Sequence, residues 1–403
     1  MCRLLYAFFF LYFVSSSSHA FWSKEVYEHA DQFPMQLQGQ FATTLTGTCM
    51  EPKGHYRRMG GHVEKVAIKN SFLKGKKMNI RLASVYKRQD VIDKSAPFVF
   101  FIPGAFNNLD DNQGRHLMDL FLQKGYNVVT TPNPWGTDFI KLGVKAPIGS
   151  FVYEGEVLYE TFLNTFKKLK RDGYAVPSIR LVGVSYGSFL SAMISAFNVK
   201  DNYPLPLKDT TILSPPFHLG ETISRLDYYV NESRPYINDN LVKSLYRLVS
   251  FCRNVDYRDH EKFSENRAMS LVIGAGFHRD LIASTILYDR LNNLNKIPGR
   301  FWRTLSKKHL KWRKNLTFKK YFDTYAKEAR IEMMSKKGDI NYWLDLARDG
   351  GYDDIRILTT DNDFLNEPIS AFSPIEKTIT LQSGGHYGYR GLSWYRDLID
   401  LSF

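Results

Sequence analysis

Short, fully apolar runs that alternate with amphipathic segments constrain the fold of this chain most. The first run is PFVFFIPG (residues 97–104), and it precedes a segment of helical spacing, RHLMDLFLQKG, and a second apolar run, YNVVTTP. The alternation continues through EGEVLYETFLNTFKKLKRDG, IRLVGVS, YGSFLSAMISAF and DTTILSPP. A continuously apolar strand is buried on both faces, and a helix between two strands makes those strands parallel. The pattern therefore predicts an α/β fold with a mostly parallel central sheet flanked by helices.

The segments on either side of this alternation predict the rest of the architecture. HVEKVAIKN and MNIRLASVYK alternate apolar and polar residues around SFLKGKK, which indicates a hairpin half exposed to water. After residue 217 the alternation is lost, and a helix-like stretch extends to about residue 351. DIRILTT and EKTITLQ then indicate two further strands, and GLSWYRDLIDLSF indicates a closing helix. We expect a helical cap insertion before the last two strands.

These patterns give a domain organisation for the 403 residues, of which 44% are apolar, enough for a large core. We expect the core of the protein to consist of residues 60–217 and 351–403, with the cap insertion at residues 218–350. Residues 21–59 lack a strong period, and we interpret them as an N-terminal leader segment that follows the surface.

The first twenty residues, MCRLLYAFFFLYFVSSSSHA, combine the basic Arg3 with an apolar run and a small-x-small ending. The run is too short to span a bilayer, so it predicts a signal peptide cleaved after Ala20 and a secreted or periplasmic protein. An uncleaved membrane anchor is the alternative interpretation. Cys49 and Cys252 would then mature in an oxidising compartment, where a disulfide between them and two buried thiols both remain open.

The chain carries a formal net charge of +13, and loss of Arg3 with the signal peptide would leave +12. Such a charge attracts anionic membranes and glycans, whereas nucleic acid is not expected among the partners. Residues 299–322 hold nine Lys or Arg residues among several aromatic residues. This segment predicts either a lid that docks on anionic lipid or glycan, or a solvated basic helix face above a buried aromatic stripe.

Two classes of cofactor site lack their sequence signatures. IGAGF (residues 273–277) contains Gly-x-Gly but has neither a third glycine nor a preceding strand, which argues against a dinucleotide site. The sequence contains no Cys-x-x-Cys and no His-x-x-x-His, so we expect no metal site of that type. The prediction is a protein that works without a metal or an organic cofactor.

Ser185 lies at the centre of Gly183-Val184-Ser185-Tyr186-Gly187. A Gly-x-Ser-x-Gly sequence is common by chance, but this one lies between a strand-like and a helix-like segment. In such a strand–turn–helix context the two glycines permit a sharp turn that projects the serine into solvent. The N-terminus of the following helix also points its free N–H groups at the place where an oxyanion would form. Ser185 is therefore a candidate nucleophile.

A serine nucleophile needs a histidine base and a carboxylate that orients the histidine. His386 lies in LQSGGHYGYR, just past the last predicted strand, where two glycines permit a bend toward the sheet edge. Asp361 and Asp363 follow the preceding strand, and we prefer Asp363 because two loop residues let its carboxylate turn back toward the imidazole; Asp361 remains the alternative. The predicted chain order is thus Ser185, Asp363, His386, the order expected of α/β-hydrolases.

GVSYGS, TTDNDFL and above all GGHYGY resemble motifs of the α/β-hydrolase superfamily. They are most similar to a branch of esterases with a Gly-Gly-His-aromatic-Gly-aromatic motif, in which the strand after the nucleophile ends in proline and an aromatic residue, as LSPPFHL does here. The resemblance covers about residues 60–220 and 350–403 and is faint in the insertion. It implies Ser185 as nucleophile, Asp363 as orienting acid and His386 as base.

The resemblance also implies an oxyanion hole made of two backbone N–H groups. One is that of Tyr186, and the other belongs to the loop after the buried strand, in FFIPGAFNN. That loop departs from the family, which commonly has His-Gly where this chain has Pro103-Gly104. We expect the second donor to be Ala105, with Phe106 as the alternative.

These features together predict a serine hydrolase that cleaves a carboxylic ester of a small molecule or lipid through an acyl-enzyme. Two alternatives remain at this stage: an acyltransferase with the same three residues, and a non-catalytic binding protein on a hydrolase scaffold.

Overall fold

The computed structural model describes residues 22–33, 39–50, 59–73, 75–88, 90–237, 267–298, 300–301, 304–366 and 377–403. The predicted signal peptide at residues 1–20 lies outside the described residues, and so does the proposed pairing of Cys49 with Cys252. Within the described ranges, we find no helix that combines the length and the apolarity needed to cross a bilayer.

The strands are β1 (Gly61–Lys69), β2 (Lys77–Arg88), β3 (Val91–Ile92), β4 (Phe98–Ile102), β5 (Asn127–Thr130), β6 (Ile179–Val184), β7 (Leu207–Leu213), β8 (Arg300–Phe301), β9 (Thr304–Leu305), β10 (Ile355–Thr360) and β11 (Thr378–Leu381). Nine of them form one sheet in the order β1-β2-β5-β4-β6-β7-β10-β11, with β3 paired to β2. The pairs from β5 to β11 are parallel, whereas β2 is antiparallel to β1, β3 and β5.

The helices are α1 (Lys24–Asp31), α2 (Gln40–Met50), α3 (Asn112–Gln123), α4 (Thr137–Ile140), α5 (Phe151–Arg171), α6 (Tyr186–Lys200), α7 (Leu219–Ile237), α8 (Arg267–Leu291), α9 (Lys307–Asn315), α10 (Phe318–Tyr325), α11 (Lys327–Met333), α12 (Ile340–Asp349) and α13 (Ser393–Ser402). Most of the strand–helix alternation seen in the sequence reappears as α3, α5 and α6 between parallel strands. The mostly parallel sheet covered by helices on both faces confirms the predicted fold class.

The central strands are buried because both of their faces carry apolar side chains. In β4, Phe98, Phe100 and Ile102 belong to the hydrophobic cluster on one face of the sheet, which includes α5, α6 and the insertion. Val99 and Phe101 belong to the cluster on the other face, with α3 and α13. Successive side chains of a strand point to opposite faces, so one apolar run supplies both layers of the core.

The described part of the insertion between β7 and β10 is helical except for the short β8–β9 hairpin. Its α10 has an aromatic face on the core, where Phe318, Tyr321 and Phe322 are buried, and it exposes Lys319 and Lys320 to solvent. This arrangement accounts for the mixture of basic and aromatic residues within α10 by amphipathic packing.

The segment at residues 21–59 differs from the surface leader that its weak period indicated. It contains α1 and α2, and Trp22, Val26, Phe41 and Leu45 are buried. The physical reason is clearest in α2, which packs through Phe41 and Leu45 although most of its residues are small or polar. The segment therefore belongs to the packed body of the protein.

Candidate active site

Ser185 occupies the turn between β6 and α6 and has a strained backbone, with φ 54° and ψ −123°. Backbone atoms lie very close to the two glycines that flank Ser185 in this turn. A Cβ at Gly183 would lie 2.4 Å from the Gly187 carbonyl oxygen, and a Cβ at Gly187 would lie 2.2 Å from the Ile102 carbonyl oxygen. Only glycine fits at both positions, and the turn places the partly buried Ser185 side chain at the carboxyl end of a central strand.

The side chains of Ser185, His386 and Asp363 form one chain of hydrogen bonds. The distance between Ser185 Oγ and His386 Nε2 is 2.8 Å, and that between His386 Nδ1 and Asp363 Oδ2 is also 2.8 Å. Asp363 is fully buried, and its other carboxylate oxygen accepts the Leu365 N–H at 2.9 Å. With Nδ1–H directed at the carboxylate, Nε2 is free to accept the serine proton.

The loop that carries His386 is held from two directions. The His386 N–H donates to Thr44 Oγ1 of α2 at 2.8 Å, and the Gly385 N–H donates to Asn362 Oδ1 at 2.8 Å. The imidazole also lies against the Phe364 ring, with 5.7 Å between the centroids. These contacts fix the position of the imidazole relative to both the serine and the carboxylate.

Two backbone N–H groups beside Ser185 are available to a ligand. The loop after β4 lies close to the serine, since a Cβ at Gly104 would be 3.3 Å from Ser185 Cβ. The Gly104 N–H donates to Gln113 Oε1, whereas the N–H groups of Tyr186, of Ala105 and of its alternative Phe106 have no acceptor in the part of the chain that the structure describes; the second donor is thus Ala105 or Phe106. Free donors next to a nucleophile can stabilise an oxyanion.

A cavity of ≈ 60 Å³ lies next to Ser185 and is lined almost entirely by apolar side chains. Ala105, Phe106, Trp135 and Tyr186 contribute from the core, and the insertion contributes residues of α7, α8, α10 and α11. Phe106 has φ 66°, and its ring contacts the rings of Trp135, Phe277 and Phe318. An apolar enclosure of this kind strengthens electrostatic interactions at the serine by excluding water.

A buried carboxylic acid lies behind this cavity. Glu154 of α5 is 2% exposed, accepts the Tyr186 hydroxyl on Oε2, and accepts the Gly149 N–H on Oε1 at 2.5 Å. Burial raises the pKa of Glu154 to about 7, and the two hydrogen bonds oppose this rise only in part. The side chain of Tyr186, the residue after Ser185, is thereby hydrogen-bonded to α5.

The structure brings Ser185, Asp363 and His386 together and places Ala105 and Tyr186 at the same cavity. The alternative acid Asp361 is exposed, and its backbone N–H pairs with β11. Among the described residues, no group of three His, Cys, Asp or Glu side chains is placed to share a metal ion. Sequence reasoning missed Thr44 and Glu154: Thr44 lies in a segment without a clear period, and a single Glu in an amphipathic helix is ordinarily a surface residue.

Comparison with known proteins gave matches to solved structures alone. No family model matches the chain, and no curated protein matches it. Fluorophosphonate-binding serine hydrolase F from Staphylococcus aureus is 12% identical, with a TM-score of 0.42 over 85% of this chain and 99% of that one. An esterase from Pyrobaculum calidifontis is 12% identical, with a TM-score of 0.42 over 94% of this chain and 92% of that one. Carboxyl esterase 2 from the mycorrhizal fungus Tuber melanosporum is 10% identical, with a TM-score of 0.43 over 87% of this chain and 86% of that one.

The strand order and the position of Ser185 identify the fold independently of these similar structures. The serine projects from a strand–turn–helix elbow at the carboxyl ends of parallel strands, and the loops after β10 and β11 meet it there. Several unrelated folds carry a serine, a histidine and an aspartate in this arrangement. The chain order serine, aspartate, histidine is that of α/β-hydrolases. The chain therefore has the α/β-hydrolase fold, as the sequence resemblance implied.

Proposed function

We propose that this protein is a secreted or periplasmic serine hydrolase that cleaves carboxylic esters through a covalent acyl-enzyme. The observation that carries the proposal is the continuous chain of hydrogen bonds from Ser185 Oγ through His386 to the buried Asp363. The apolar cavity beside the serine and the two free N–H groups at Ala105 and Tyr186 support it.

In the first half of the proposed reaction, Ser185 Oγ forms a bond to the acyl carbon while His386 Nε2 takes the serine proton. The N–H groups of Ala105 and Tyr186 hold the carbonyl oxygen as it becomes negative. The C–O bond to the alcohol then breaks, and His386 gives its proton to the departing oxygen. Asp363 stays ionised and stabilises the imidazolium that forms between these steps.

In the second half, water replaces the alcohol. His386 removes a proton from water as its oxygen attacks the acyl carbon, and the same two N–H groups hold the second oxyanion. Collapse of this intermediate breaks the bond to Ser185 Oγ, which recovers its proton from His386 and releases the carboxylic acid. No step requires a group that the chain does not itself supply, apart from substrate and water.

A fluorophosphonate probe tests this proposal on the folded protein. We expect covalent labelling of the wild type, release of 4-nitrophenol from 4-nitrophenyl acetate, and loss of both in Ser185→Ala with an unchanged melting temperature. Ser188→Ala, in the first turn of α6, is the matched control for the labelling site, because its buried hydroxyl donates to the Gly183 or the Leu213 carbonyl oxygen and accepts the Leu213 N–H. Equal labelling of the wild type and Ser185→Ala would refute the proposal, and no labelling of either would favour the binding-protein alternative.

An acyltransferase is a second candidate because the cavity at Ser185 is small and apolar, which disfavours bulk water as the acyl acceptor. Product analysis separates the two activities. Hydrolysis yields free acid in equal amounts with and without added alcohol, whereas an acyltransferase diverts the acyl group into a new ester when an acceptor alcohol is present.

A further inference from the structure

A second, much larger cavity lies on the outer side of the insertion. This outer groove of ≈ 660 Å³ is formed by one face of α7, the first half of α10 and the end of α11. Its polar lining includes Ser224 and Asp227 of α7 and Lys319 and Lys320 of α10, and the exposed Tyr228 contributes an aromatic ring. Its size exceeds that of the cavity at Ser185 about tenfold.

The two cavities share a wall. Ile223 of α7 and Met333 of α11 line both of them, while Leu219 and Leu226 of α7 face only the inner cavity. Asp227 and Tyr228 belong only to the outer groove. The partition is thus made of side chains at Ile223 and Met333, and methionine is the most adaptable of the apolar side chains. Ile223 and Met333 are therefore the side chains that a substrate occupying both cavities would have to pass.

The inner cavity is large enough for only a short acyl group. One water-sized atom needs about 10–15 Å³ of such space, so ≈ 60 Å³ holds about five non-hydrogen atoms. An acetyl or butyryl group meets this limit, and an octanoyl group does not. The apolar lining favours an acyl chain without charged groups.

The outer groove has an excess of positive charge. Arg330 pairs with Asp323, and Asp227 accepts the N–H groups of Phe318 and Lys319 at the start of α10. In contrast, the exposed side chains of Lys319 and Lys320 have no carboxylate partner in the described ranges. Two ammonium groups without a carboxylate partner, in a groove that the Tyr228 ring also lines, suit an anion that also bears hydroxyl groups.

We propose that the substrate is a short-chain ester of a hydroxyl-rich, negatively charged alcohol, with its acyl group in the inner cavity and its alcohol in the outer groove. This inference rests on the proposed ester hydrolysis at Ser185. The alcohol is the part that must leave after acylation, and exposed side chains such as Tyr228 line part of the groove.

The test compares two sugar esters that differ by one charge, O-acetyl glucose and O-acetyl glucuronate, by acetate release. We expect the wild type to show about a tenfold higher kcat/KM on the glucuronate ester, mainly through KM, because two exposed ion pairs are together worth about that much. The ratio should fall toward one in 0.5 M NaCl and in the double variant Lys319→Ala, Lys320→Ala.

The double variant Lys307→Ala, Lys308→Ala is the matched control, since it removes the same charge from exposed positions of α9 that do not line the groove. It should keep the tenfold ratio. A ratio near one in the wild type, or an equal loss in both double variants, would overturn the groove assignment. O-acetyl glucose 6-phosphate extends the comparison from a carboxylate to a phosphate.

The acyl limit is tested with 4-nitrophenyl acetate, butyrate and octanoate. We expect kcat/KM on the octanoate at least tenfold below that on the butyrate, and a smaller gap in Leu226→Ala, which widens the inner cavity. If the octanoate ester were hydrolysed as fast as the butyrate ester, the size limit would be refuted. Failure of the wild type to hydrolyse any of the three esters would instead refute the proposed function, so the two failures are distinguishable.

Discussion

Replacing the buried acid behind the active site with its neutral isostere, Glu154→Gln, should change how the stability of the protein depends on pH. Glu154 is fully enclosed, and burial raises its pKa from 4.5 to about 7. The folded protein therefore binds the Glu154 proton more tightly than the unfolded chain does, and unfolding between pH 4.5 and 7 releases that proton. The stability that this acid contributes is fully present below pH 4.5, declines through this window, and is lost above pH 7.

The size of the effect follows from the shift. A difference of about 2.5 pKa units corresponds to about 3 kcal/mol at 1.36 kcal/mol per unit. Glutamine has no proton to lose, so the variant should lack this decline. Its carbonyl oxygen can still accept the Gly149 N–H, but the Tyr186 hydroxyl then faces the amide NH2 and loses its acceptor oxygen, which adds a cost of about 1 kcal/mol.

Urea unfolding followed by tryptophan fluorescence at pH 4.5, 6, 7 and 8 measures both quantities. The free energy of unfolding of Glu154→Gln, minus that of the wild type, should rise by about 3 kcal/mol from pH 4.5 to pH 8. Other titrating groups, such as the buried Asp209 beside Arg180 and Arg356, are common to both proteins and cancel in the difference. A difference that stays constant with pH would refute the reasoning, because it would mean that Glu154 titrates alike in the folded and unfolded states.

Four further outcomes are expected. Asp363→Asn should lower kcat by about 10⁴-fold, because an amide stabilises the wrong imidazole tautomer, as steady-state hydrolysis of 4-nitrophenyl acetate will show. Thr44→Val should leave the His386 N–H without its acceptor, lowering the free energy of unfolding by about 1–3 kcal/mol and reducing kcat more than it changes KM. Gly187→Ala should cost about 3 kcal/mol or abolish soluble expression, because its Cβ would collide with a backbone oxygen. Mass spectrometry of protein recovered from the culture medium or periplasm should find the mature chain beginning directly after Ala20.

Each substitution has a control variant that distinguishes the proposed mechanism from a general loss of stability. Asp361→Asn removes an exposed carboxylate and should retain nearly full activity; equal losses for both aspartates would contradict the assignment of Asp363. Thr44→Ser keeps the hydroxyl and should restore kcat, and its failure to do so would point to packing of the methyl group instead. Gly114→Ala meets no atom within 4 Å and should fold normally.

The core of the fold could be predicted because its central strands are apolar on both faces and because α3 and α5 are followed closely by Gly125 and Gly173. Those patterns come from burial and backbone geometry, which act within a few residues. The N-terminal helices could not be predicted in the same way, because α2 reads QFATTLTGTCM, with small and polar residues on most positions. Its position is determined by contacts with residues hundreds of positions away, among them the Phe41 ring on Phe364.

In the candidate site, too, the residues with a local sequence pattern could be predicted, and those placed by distant contacts could not. Ser185 and His386 lie in glycine-rich turns that follow strands, a local signature, and the order of the strands brings them to one edge. The choice of Asp363 over Asp361 depends on which carboxylate faces inward from a loop, and sequence could only favour one of them. Glu154 gave no signal at all, because its burial results from the close approach of α5 to Tyr186 and Gly149.

The hydrogen bond from the His386 N–H to Thr44 joins residues 342 positions apart. Closing so long a loop is slow, since the entropy of the intervening chain is lost before the contact contributes anything in return. The central sheet involves shorter separations and can form without it. On refolding from denaturant, secondary structure followed by circular dichroism should therefore recover first and the proposed esterase activity later, so that catalytic competence reports on the final docking of the two distant parts of the chain.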